Sequence, residues 1–246
     1  MPYLSVIIPA YNEENRITKT LKDIDKYLKS QSFSYEIVVV NDASTDKTVE
    51  VVQNLMDSID NLRILDYQKN HGKGWSVKKG MLETKGDYRL FMDADNATTL
   101  DHFDKMRPLL EKDYKIIIGT RDSKDHKDAE QTVSQPWHKR MLGDVGNILI
   151  QVMAVPGIWD TQCGFKLFSA QAATEIFKRS KIDRWGFDIE ALALARKLGY
   201  KIGIIPVKWV NDPNSHVGLK GYVRTLLDLL KIKWNFIKGA YDLKKK

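Results

Sequence analysis

Short, mostly apolar segments rich in branched residues constrain the fold of this chain more than any other feature. Three examples are Leu4–Pro9, Glu36–Val40 and Tyr88–Met92. Segments of this length and composition predict strands that are buried on both faces, as in parallel sheets. Between the first two strands, apolar positions recur at helical spacing: Ile17, Leu21, Ile24 and Leu28. Strands that alternate with helices through short connections predict an α/β fold, a mostly parallel sheet flanked by helices.

Further elements continue this pattern. We predict strands at Leu62–Leu65, Lys115–Gly119, Gly164–Phe168 and Lys201–Val207. We predict helices that end near Met56 and that span Gly74–Glu83, His138–Val155, Phe187–Leu198 and about Leu219–Ile237. Ser44 or Thr45 is the expected cap of the helix that ends near Met56. The polar stretch Asp122–Pro136 lacks periodicity and predicts a long loop.

Composition restricts the class of protein. The 246 residues include 43% hydrophobic and 29% charged residues, which is typical of a globular domain. No run approaches the roughly 20 apolar residues of a spanning helix, and no signal peptide is evident, so we expect a cytoplasmic protein without a transmembrane segment. Cys163 is the single cysteine and is expected to be buried and structural. A net charge of +7 favours anionic partners such as nucleotides, lipid phosphates or an acidic bilayer. Nucleic acid is not among the expected partners.

Polar residues gather where the predicted strands end. They are Pro9-Ala10-Tyr11, Asn41-Asp42, Asp93-Ala94-Asp95 and Thr120-Arg121. In parallel sheets, ligands bind at the carboxyl ends of the strands. Two carboxylates placed two residues apart suit Mg²⁺ or Mn²⁺, which complete their shells with substrate phosphates. A departing nucleoside diphosphate needs such neutralisation. An acidic turn is the alternative, but the position at this edge favours a metal site.

Other residues at this edge leave two interpretations open. Asp42 could accept from a uracil N–H or ribose hydroxyls, or could shape the turn before the next helix. Tyr11 and Glu13 offer a ring and a carboxylate to a nucleotide, or form a simple turn. Lys73 lies between two glycines and could contact a diphosphate, or could be solvated. The Gly-x-x-x-x-Gly-Lys-Ser/Thr and Gly-x-Gly-x-x-Gly patterns are absent from the sequence, which argues against ATPases and dinucleotide-dependent oxidoreductases.

Taken together and in order, these segments resemble glycosyltransferase family 2, whose members have the nucleotide-sugar-binding fold called GT-A. The family's three opening motifs look like Ser5–Glu13, Val40–Asp46 and Asp93–Asp95. Within the family, the likeness is greatest to the dolichyl-phosphate β-glucosyltransferases. It rests on the segments His71–Gly74, Lys78–Met81, Asp160–Phe168 and Arg184–Glu190. The dolichyl-phosphate mannose synthases are a poorer match, because they carry a glutamine where Ala97 stands here.

The resemblance implies an inverting, metal-dependent transfer of a hexose from a UDP- or GDP-sugar, with UDP-glucose preferred, to a polyprenyl phosphate of the dolichyl type. The implied nucleotide-binding residues are Pro9, Ala10, Tyr11, Glu13, Asp42, Lys73, Asp93 and Ala94. Asp93 and Asp95 would hold Mg²⁺ or Mn²⁺, and Asp95 would also be catalytic. The implied residues that bind the acceptor or its phosphate are Arg121, Arg140, Gln162 and Gly164. We expect one GT-A domain, with residues 1–120 for the nucleotide-sugar, 121–210 for the acceptor and 211–246 as a C-terminal helix and basic tail.

The chemistry of the acceptor decides which side chains are needed. A phosphate monoester has a second pKa near 6 and can attack when held by cations. A sugar hydroxyl needs a general base, and Asp188 is the catalytic candidate for that role. For a phosphate acceptor, Asp188 would instead orient an arginine or bind sugar hydroxyls. A non-catalytic nucleotide-sugar-binding module is the third hypothesis.

The predicted last helix mixes basic residues with large apolar ones. Such a mixture suits a helix that lies at a membrane interface, on the cytoplasmic face. A helix packed on the sheet with a solvated basic face is the alternative. Both interpretations stay open at this stage.

Overall fold

The computed structural model describes residues 1–131, 146–210 and 219–243. Its strands are β1 Leu4–Ala10, β2 Tyr35–Asp42, β3 Leu62–Tyr67, β4 Tyr88–Met92, β5 Ile116–Thr120, β6 Glu130–Gln131, β7 Phe165–Ser169, β8 Ile202–Pro206 and β9 Lys208–Trp209. Its helices are α1 Ile17–Lys29, α2 Thr48–Met56, α3 Lys73–Glu83, α4 Phe103–Glu111, α5 at residues 146–153, α6 Ala170–Arg179, α7 Phe187–Lys197 and α8 Leu219–Ile237. A 3₁₀ turn, Leu100–His102, precedes α4.

The central sheet has seven strands in the order β3-β2-β1-β4-β7-β5-β8. All neighbouring strands are parallel except β7, which runs antiparallel to both β4 and β5. Because β7 is reversed, its first residue lies at the edge where the parallel strands end. The segment before β7 therefore reaches the same edge as the segments that follow β4 and β5. We call this edge the carboxyl edge.

The core lies on both faces of the sheet. Side chains alternate along β1, with Ile7 in one hydrophobic cluster and Val6 and Ile8 in the other. One cluster includes apolar residues of α3, α6 and α7, and the other includes those of α1 and α4. Every described residue of β1 except Pro9 is buried. Because helices cover both faces of the sheet, the strands are apolar at nearly every position.

The structure confirms the predicted α/β architecture and most predicted element positions, and it corrects three local predictions. Neither Ser44 nor Thr45 caps α2, which begins at Thr48; the Thr48 N–H donates instead to Asp46 Oδ1 at 2.9 Å. Ser44 and Thr45 bind Asn12 in the loop after β1. The predicted loop Asp122–Pro136 contains β6, which pairs with β9. Helices α4 and α6 were not predicted. The predicted start of the helix His138–Val155 lies outside the described residues.

Candidate active site

The acidic pair follows β4 at the carboxyl edge. Asp95 Oδ1 accepts from the Ala97 N–H at 3.0 Å, and Thr20 Oγ1 donates to the Ala94 carbonyl at 2.6 Å. These bonds fix the turn that carries both carboxylates. Asn96 completes the turn with a φ of 56°, a left-handed conformation that asparagine tolerates better than most residues.

Negative charge is concentrated around this turn. Burial, and then the charge of Asp93, raise the pKa of Asp95. Burial also raises the pKa of Glu13 and outweighs the opposing hydrogen bond and charge of Arg16, while the charges of Asp95 and Asp93 add smaller increases. The charge of Asp93 thus disfavours the ionised forms of Asp95 and Glu13, and a cation beside these side chains would relieve that repulsion.

The donor set fits a Mg²⁺ or Mn²⁺ ion that shares its shell with a substrate. Asp93 and Asp95 supply oxygen ligands, which these hard ions prefer. Among residues 1–131, 146–210 and 219–243, no group of three or more His, Cys, Asp or Glu side chains is arranged to hold a metal by protein ligands alone. Such a two-carboxylate site matches ions that are completed by phosphate oxygens.

Lys73, the first residue of α3, lies directly beside this pair. Its Nζ is 2.6 Å from Asp93 Oδ1, and its side chain is 27% exposed. Although burial lowers the pKa of Lys73, the charges of Asp93 and Asp188 raise it overall. Lys73 is therefore an ion-paired cation at the site rather than a solvated surface lysine.

Asp42 fixes the turn that leads into α3. Its Oδ1 accepts from the His71 N–H at 2.8 Å and its Oδ2 from the Gly72 N–H at 2.7 Å. Gly72 has a φ of 111°, which only glycine adopts readily. Asp42 thereby positions Lys73. Each carboxylate oxygen of Asp42 has a further lone pair, so this structural role is compatible with a contact to a nucleotide.

Arg121, after β5, forms a forked ion pair with Asp160 of the segment before β7. Arg121 Nε and Nη2 each lie 2.8 Å from a different carboxylate oxygen of Asp160, and the Arg121 backbone N–H adds a third bond. Burial raises the pKa of Asp160, but the charge and hydrogen bonds of Arg121 outweigh it and lower that pKa overall. The Arg121 guanidinium also lies 5.3 Å from the Trp209 ring centre. This forked ion pair joins the segment that follows β5 to the segment that precedes β7.

Gly164 makes the closest backbone approach to the acidic pair. Its carbonyl accepts from the Asp93 N–H at 3.2 Å. A Cβ at Gly164 would stand 2.2 Å from Asp93 Oδ2 and 2.3 Å from Asp93 Cγ. The position therefore requires glycine if the Asp93 carboxylate is to keep its place.

Asp188, in the first turn of α7, pairs with a buried lysine. Lys166 Nζ is 2.6 Å from Asp188 Oδ1, and the two side chains are 0% and 6% exposed. Burial raises the pKa of Asp188, and the charges of Lys166 and Lys73 only partly oppose that rise. The second contact of Lys166 is a hydrogen bond to the Cys163 carbonyl.

Two of these residues, Lys166 and Asp160, were not assigned roles from the sequence. A lysine inside the apolar strand Phe165–Ser169 was the available signal, because a charge at such a position requires a partner. Asp160 carried no comparable signal, since its pairing with Arg121 depends on the reversal of β7.

The remaining described residues that were predicted for the site end β1, follow β1 or β4, or precede β7, at the same edge. Tyr11 is 48% exposed and so presents its ring to solvent near β1. Glu13 pairs with Arg16 at 2.8 Å. Gln162 is exposed. Ala10 and Ala94 are buried and Pro9 is half-buried, so these three can offer mainly backbone atoms. Arg140 lies outside the described residues.

Burial also keeps the Cys163 thiol protonated. The thiol is fully buried, and burial raises its pKa to about 12. A thiolate is therefore disfavoured at neutral pH, which agrees with the expected structural role.

The family model for glycosyl transferase family 2 matches residues 5–177. The chain belongs to glycosyl transferase family 2, and the protein is a glycosyltransferase. Two curated relatives are a dolichyl-phosphate beta-glucosyltransferase of Trichomonas vaginalis and another of Dictyostelium discoideum. They are 38% and 35% identical to this chain over 98% of it, and the matches cover 76% and 77% of their own lengths. The predicted likeness to dolichyl-phosphate β-glucosyltransferases is confirmed.

The fold resembles solved structures at much lower identity. Glucosyl-3-phosphoglycerate synthase of Mycobacterium tuberculosis, in complex with Mg²⁺ and uridine diphosphate, has a TM-score of 0.65 and 18% identity. The match covers 95% of this chain and 80% of that one. The predicted GT-A fold is confirmed. No helix in the three described ranges is long and apolar enough to cross a bilayer.

Proposed function

We propose that this glycosyltransferase moves glucose from UDP-glucose, with inversion, onto the phosphate of a dolichyl-type polyprenyl phosphate. The observation that carries the proposal is the similarity over 98% of the chain to enzymes named dolichyl-phosphate beta-glucosyltransferase. The UDP donor is consistent with the uridine diphosphate in the M. tuberculosis structure. These substrates are compatible with a carboxyl edge that combines carboxylates with cationic side chains.

In this proposal, Asp93 and Asp95 would hold a divalent cation, which would supply positive charge to neutralise the departing nucleoside diphosphate. Lys73 would bind the diphosphate next to this cation, since its ammonium lies 2.6 Å from Asp93 Oδ1. Tyr11 and Glu13 contact the nucleoside, together with Pro9 and Ala10 through their backbone.

The acceptor phosphate needs cations that hold it and screen its repulsion from the donor. Arg121 is the described candidate, and we propose that it faces the phosphate through the part of its guanidinium outside the fork with Asp160. Gln162 and Gly164, in the segment between Asp160 and β7, complete this side of the proposed site. Arg140 remains a proposed partner from the sequence.

The environment of Asp188 favours a phosphate acceptor over a sugar hydroxyl. A general base must reach the proton that it removes. The Asp188 carboxylate is instead nearly buried and bonded to Lys166 at 2.6 Å. Because an ionised phosphate needs no base, Asp188 then serves to orient neighbouring cations or sugar hydroxyls.

A donor and acceptor panel tests the proposal. UDP-glucose, UDP-N-acetylglucosamine and GDP-mannose are each incubated with Mg²⁺ or Mn²⁺ and a short polyprenyl phosphate, and products are read by mass. We expect a glucosyl adduct of the polyprenyl phosphate with UDP-glucose. Transfer to a saccharide hydroxyl that Asp188→Asn nearly abolishes would instead support the alternative acceptor. Absence of turnover despite UDP binding would support the non-catalytic module.

The metal is tested by binding rather than by activity. Titration calorimetry of UDP with Mn²⁺ is compared between the wild type and the double variant Asp93→Asn/Asp95→Asn. We expect Mn²⁺ to tighten UDP binding in the wild type only. Equal tightening in the double variant would contradict the proposed ligands.

We further propose that α8 holds the enzyme against the cytoplasmic face of a membrane, where the lipid acceptor resides. Large apolar residues on α8 are exposed at positions three or four apart, so they form one stripe along the helix. They are Val223, Leu226, Leu227, Leu230, Trp234 and Ile237, each at least 42% exposed. The buried residues Leu229 and Ile232 lie on the opposite face, so the stripe points away from the protein core.

The charge on and directly after α8 supports a bilayer with anionic lipids as the proposed occupant. Arg224, Lys231 and Lys238 flank one side of the stripe and Lys233 the other, and all four are exposed. An apolar stripe between basic flanks suits the boundary between headgroups and acyl chains. Helix α8 also contacts the start of α7, which carries Asp188, because Asp228 Oδ2 accepts from the N–H of Gly186, the residue before α7.

Co-sedimentation with vesicles tests this contact. Vesicles of phosphatidylcholine with phosphatidylserine are expected to bind the wild type, and Leu227→Glu/Leu230→Glu is expected to lose binding. Met56→Glu, which changes an exposed apolar residue on α2, is the matched control and should bind like the wild type. A wild type that ignores these vesicles but elutes as a dimer, with Leu227→Glu/Leu230→Glu monomeric, would assign the stripe to a second copy instead.

A further inference from the structure

Lys166 lies in a position where a charged side chain is unexpected. In the sheet register it stands between Phe91 of β4 and Ile118 of β5. Its side chain is fully buried, and its Nζ lies 5.3 Å from the Phe91 ring centre. Removing an ammonium group from water is costly unless the group is paired and hydrogen-bonded.

The pairing of Lys166 satisfies the ammonium but does not explain why a charge is there. Nζ bonds to Asp188 Oδ1 and to the Cys163 carbonyl. A buried ion pair adds little net stability compared with apolar residues of the same volume. Stability alone therefore does not account for a lysine in the middle of this sheet.

The pair continues into the site. The start of α7, which carries Asp188, packs against the start of α3, because a Cβ at Gly74 would stand 2.5 Å from Phe187 Cβ. Lys73 precedes Gly74, and its Nζ lies 2.6 Å from Asp93 Oδ1. The charge of Asp188 also helps to raise the pKa of Lys73. Positive and negative groups thus alternate in the order Lys166, Asp188, Lys73 and Asp93. Lys73 is the member that the proposed function places against the donor diphosphate.

We infer that Lys166 is a positioning residue that holds the Asp188 carboxylate at the start of α7, next to the start of α3, so that Lys73 is directed to the donor diphosphate. The inference rests on the proposed function. Without Lys166, the buried Asp188 lacks its direct counter-charge and turns away or takes up a proton. Lys73 then loses one of the two carboxylates that orient it.

A double-mutant cycle tests the inference. The variants are Lys166→Met, which keeps the length of the side chain without its charge, Asp188→Asn, and the two combined. For each variant, kcat and KM for UDP-glucose are measured together with thermal unfolding. Lys78→Met is the matched control, because Lys78 is a partly buried lysine that bonds a backbone carbonyl, Ser180 O, at 2.7 Å.

We expect each single variant to lower kcat by at least about tenfold, and the double variant to lose no more than Asp188→Asn alone. The control should keep kcat within about twofold of the wild type. A Lys166→Met variant that unfolds at lower temperature but keeps its kcat would show a purely structural role and overturn the inference. So would a double variant whose loss equals the product of the two single losses.

Two further outcomes are decided by the same design. Where Lys166→Met alone fails to fold, the double variant, which carries no unpaired buried charge, is compared with Asp188→Asn. Equal kcat supports the inference, and an additional tenfold loss overturns it. A wild type that transfers no sugar to polyprenyl phosphate contradicts the proposed function, whereas transfer that Lys166→Met leaves unchanged contradicts this inference alone.

Discussion

At the scale of single residues, the position of a carboxylate in the candidate site depends on a neighbouring glycine as well as on charged groups. Gly164 shows this, because the space for its missing side chain is filled by the carboxylate of Asp93. The absence of a side chain at Gly164 thus determines where the Asp93 carboxylate, a proposed metal ligand, can lie.

Gly164→Ala is expected to displace the Asp93 carboxylate. The added Cβ would come within 2.2 Å of Asp93 Oδ2, a distance that requires one of the two groups to move. We expect the affinity for Mn²⁺ in the presence of UDP to fall by at least about tenfold, since a misplaced ligand weakens coordination. Titration calorimetry measures this loss.

Gly146→Ala is the matched control for that change. A Cβ at Gly146 meets no atom of the described residues within 4 Å. The variant should therefore bind Mn²⁺ and UDP like the wild type. A Gly164→Ala variant with unaltered Mn²⁺ binding would contradict the proposed role of the Asp93 carboxylate.

The sequence predicted Asp93, Asp95 and Asp42 as residues of the candidate site but not the contacts that these and the other side chains make. Asp93 and Asp95 follow an apolar strand, so their position at the edge could be derived from the pattern. The bonds from Asp42 to the turn before α3, and from Asp160 to Arg121, join residues that are 28 or more positions apart. Such contacts follow from the arrangement of strands in space, which local patterns do not contain.

At the scale of elements, the buried strands were predictable and two helices were not. A strand covered on both faces must be apolar at nearly every position, which gives a strong local signal. Helix α4 contains Pro108, which normally disfavours a helix interior. Helix α6 begins directly after β7, where Ser169 ends the strand and also caps the helix by accepting from the Ala172 N–H. No loop separates β7 from α6, so the sequence shows no polar break between the strand and the helix.

His102 makes the attachment of β9 sensitive to pH. Its Nε2 accepts from the Lys208 N–H at 3.0 Å, while its Nδ1 lies 3.1 Å from the Thr99 carbonyl, an arrangement that needs a neutral ring. Burial lowers the pKa of His102, and the charge of Lys105 adds to this, whereas the bond to Thr99 and the charge of Asp101 oppose it.

The sign of the pH dependence follows from that lowered pKa. The unfolded chain binds a proton near pH 6.5 and the folded protein only at lower pH. Stability from His102 is therefore full above about pH 6.5 and declines as the pH falls towards the folded pKa. Denaturant unfolding at about pH 7.5 and about pH 5.5 should show a smaller decline for His102→Gln, whose amide oxygen accepts without titrating. An equal decline in both proteins would contradict this assignment.

The end of α8 is fastened to α7 by a buried hydroxyl. Tyr241 is 1% exposed, and its hydroxyl donates to Glu190 Oε1 at 2.7 Å. Tyr241→Phe removes one donor from a buried carboxylate, so we expect a loss of about 1–3 kcal/mol in the free energy of unfolding. Urea denaturation measures it. Tyr114→Phe, which removes a hydroxyl from a partly exposed ring elsewhere, should stay within about 0.5 kcal/mol of the wild type.

At the scale of the whole molecule, the charge of +7 and the apolar stripe on α8 contribute differently to the proposed membrane contact. Electrostatic attraction is screened by salt, whereas burial of apolar surface is not. We expect binding to vesicles with phosphatidylserine to weaken several-fold between about 0.05 and 0.5 M NaCl, with a residual part that persists. The Leu227→Glu/Leu230→Glu variant should lack that residual part. Binding that does not change with salt would contradict the contribution of charge.

The fork between Arg121 and Asp160 has a consequence for how this enzyme could diversify. The chain departs from the carboxyl edge at Arg121 and comes back at Asp160, and three hydrogen bonds join the departure to the return. The two ends of the intervening segment are therefore held together at the carboxyl edge. Under the proposed function, we expect substitutions within that segment to alter the choice of acceptor, while Arg121 and Asp160 keep their positions.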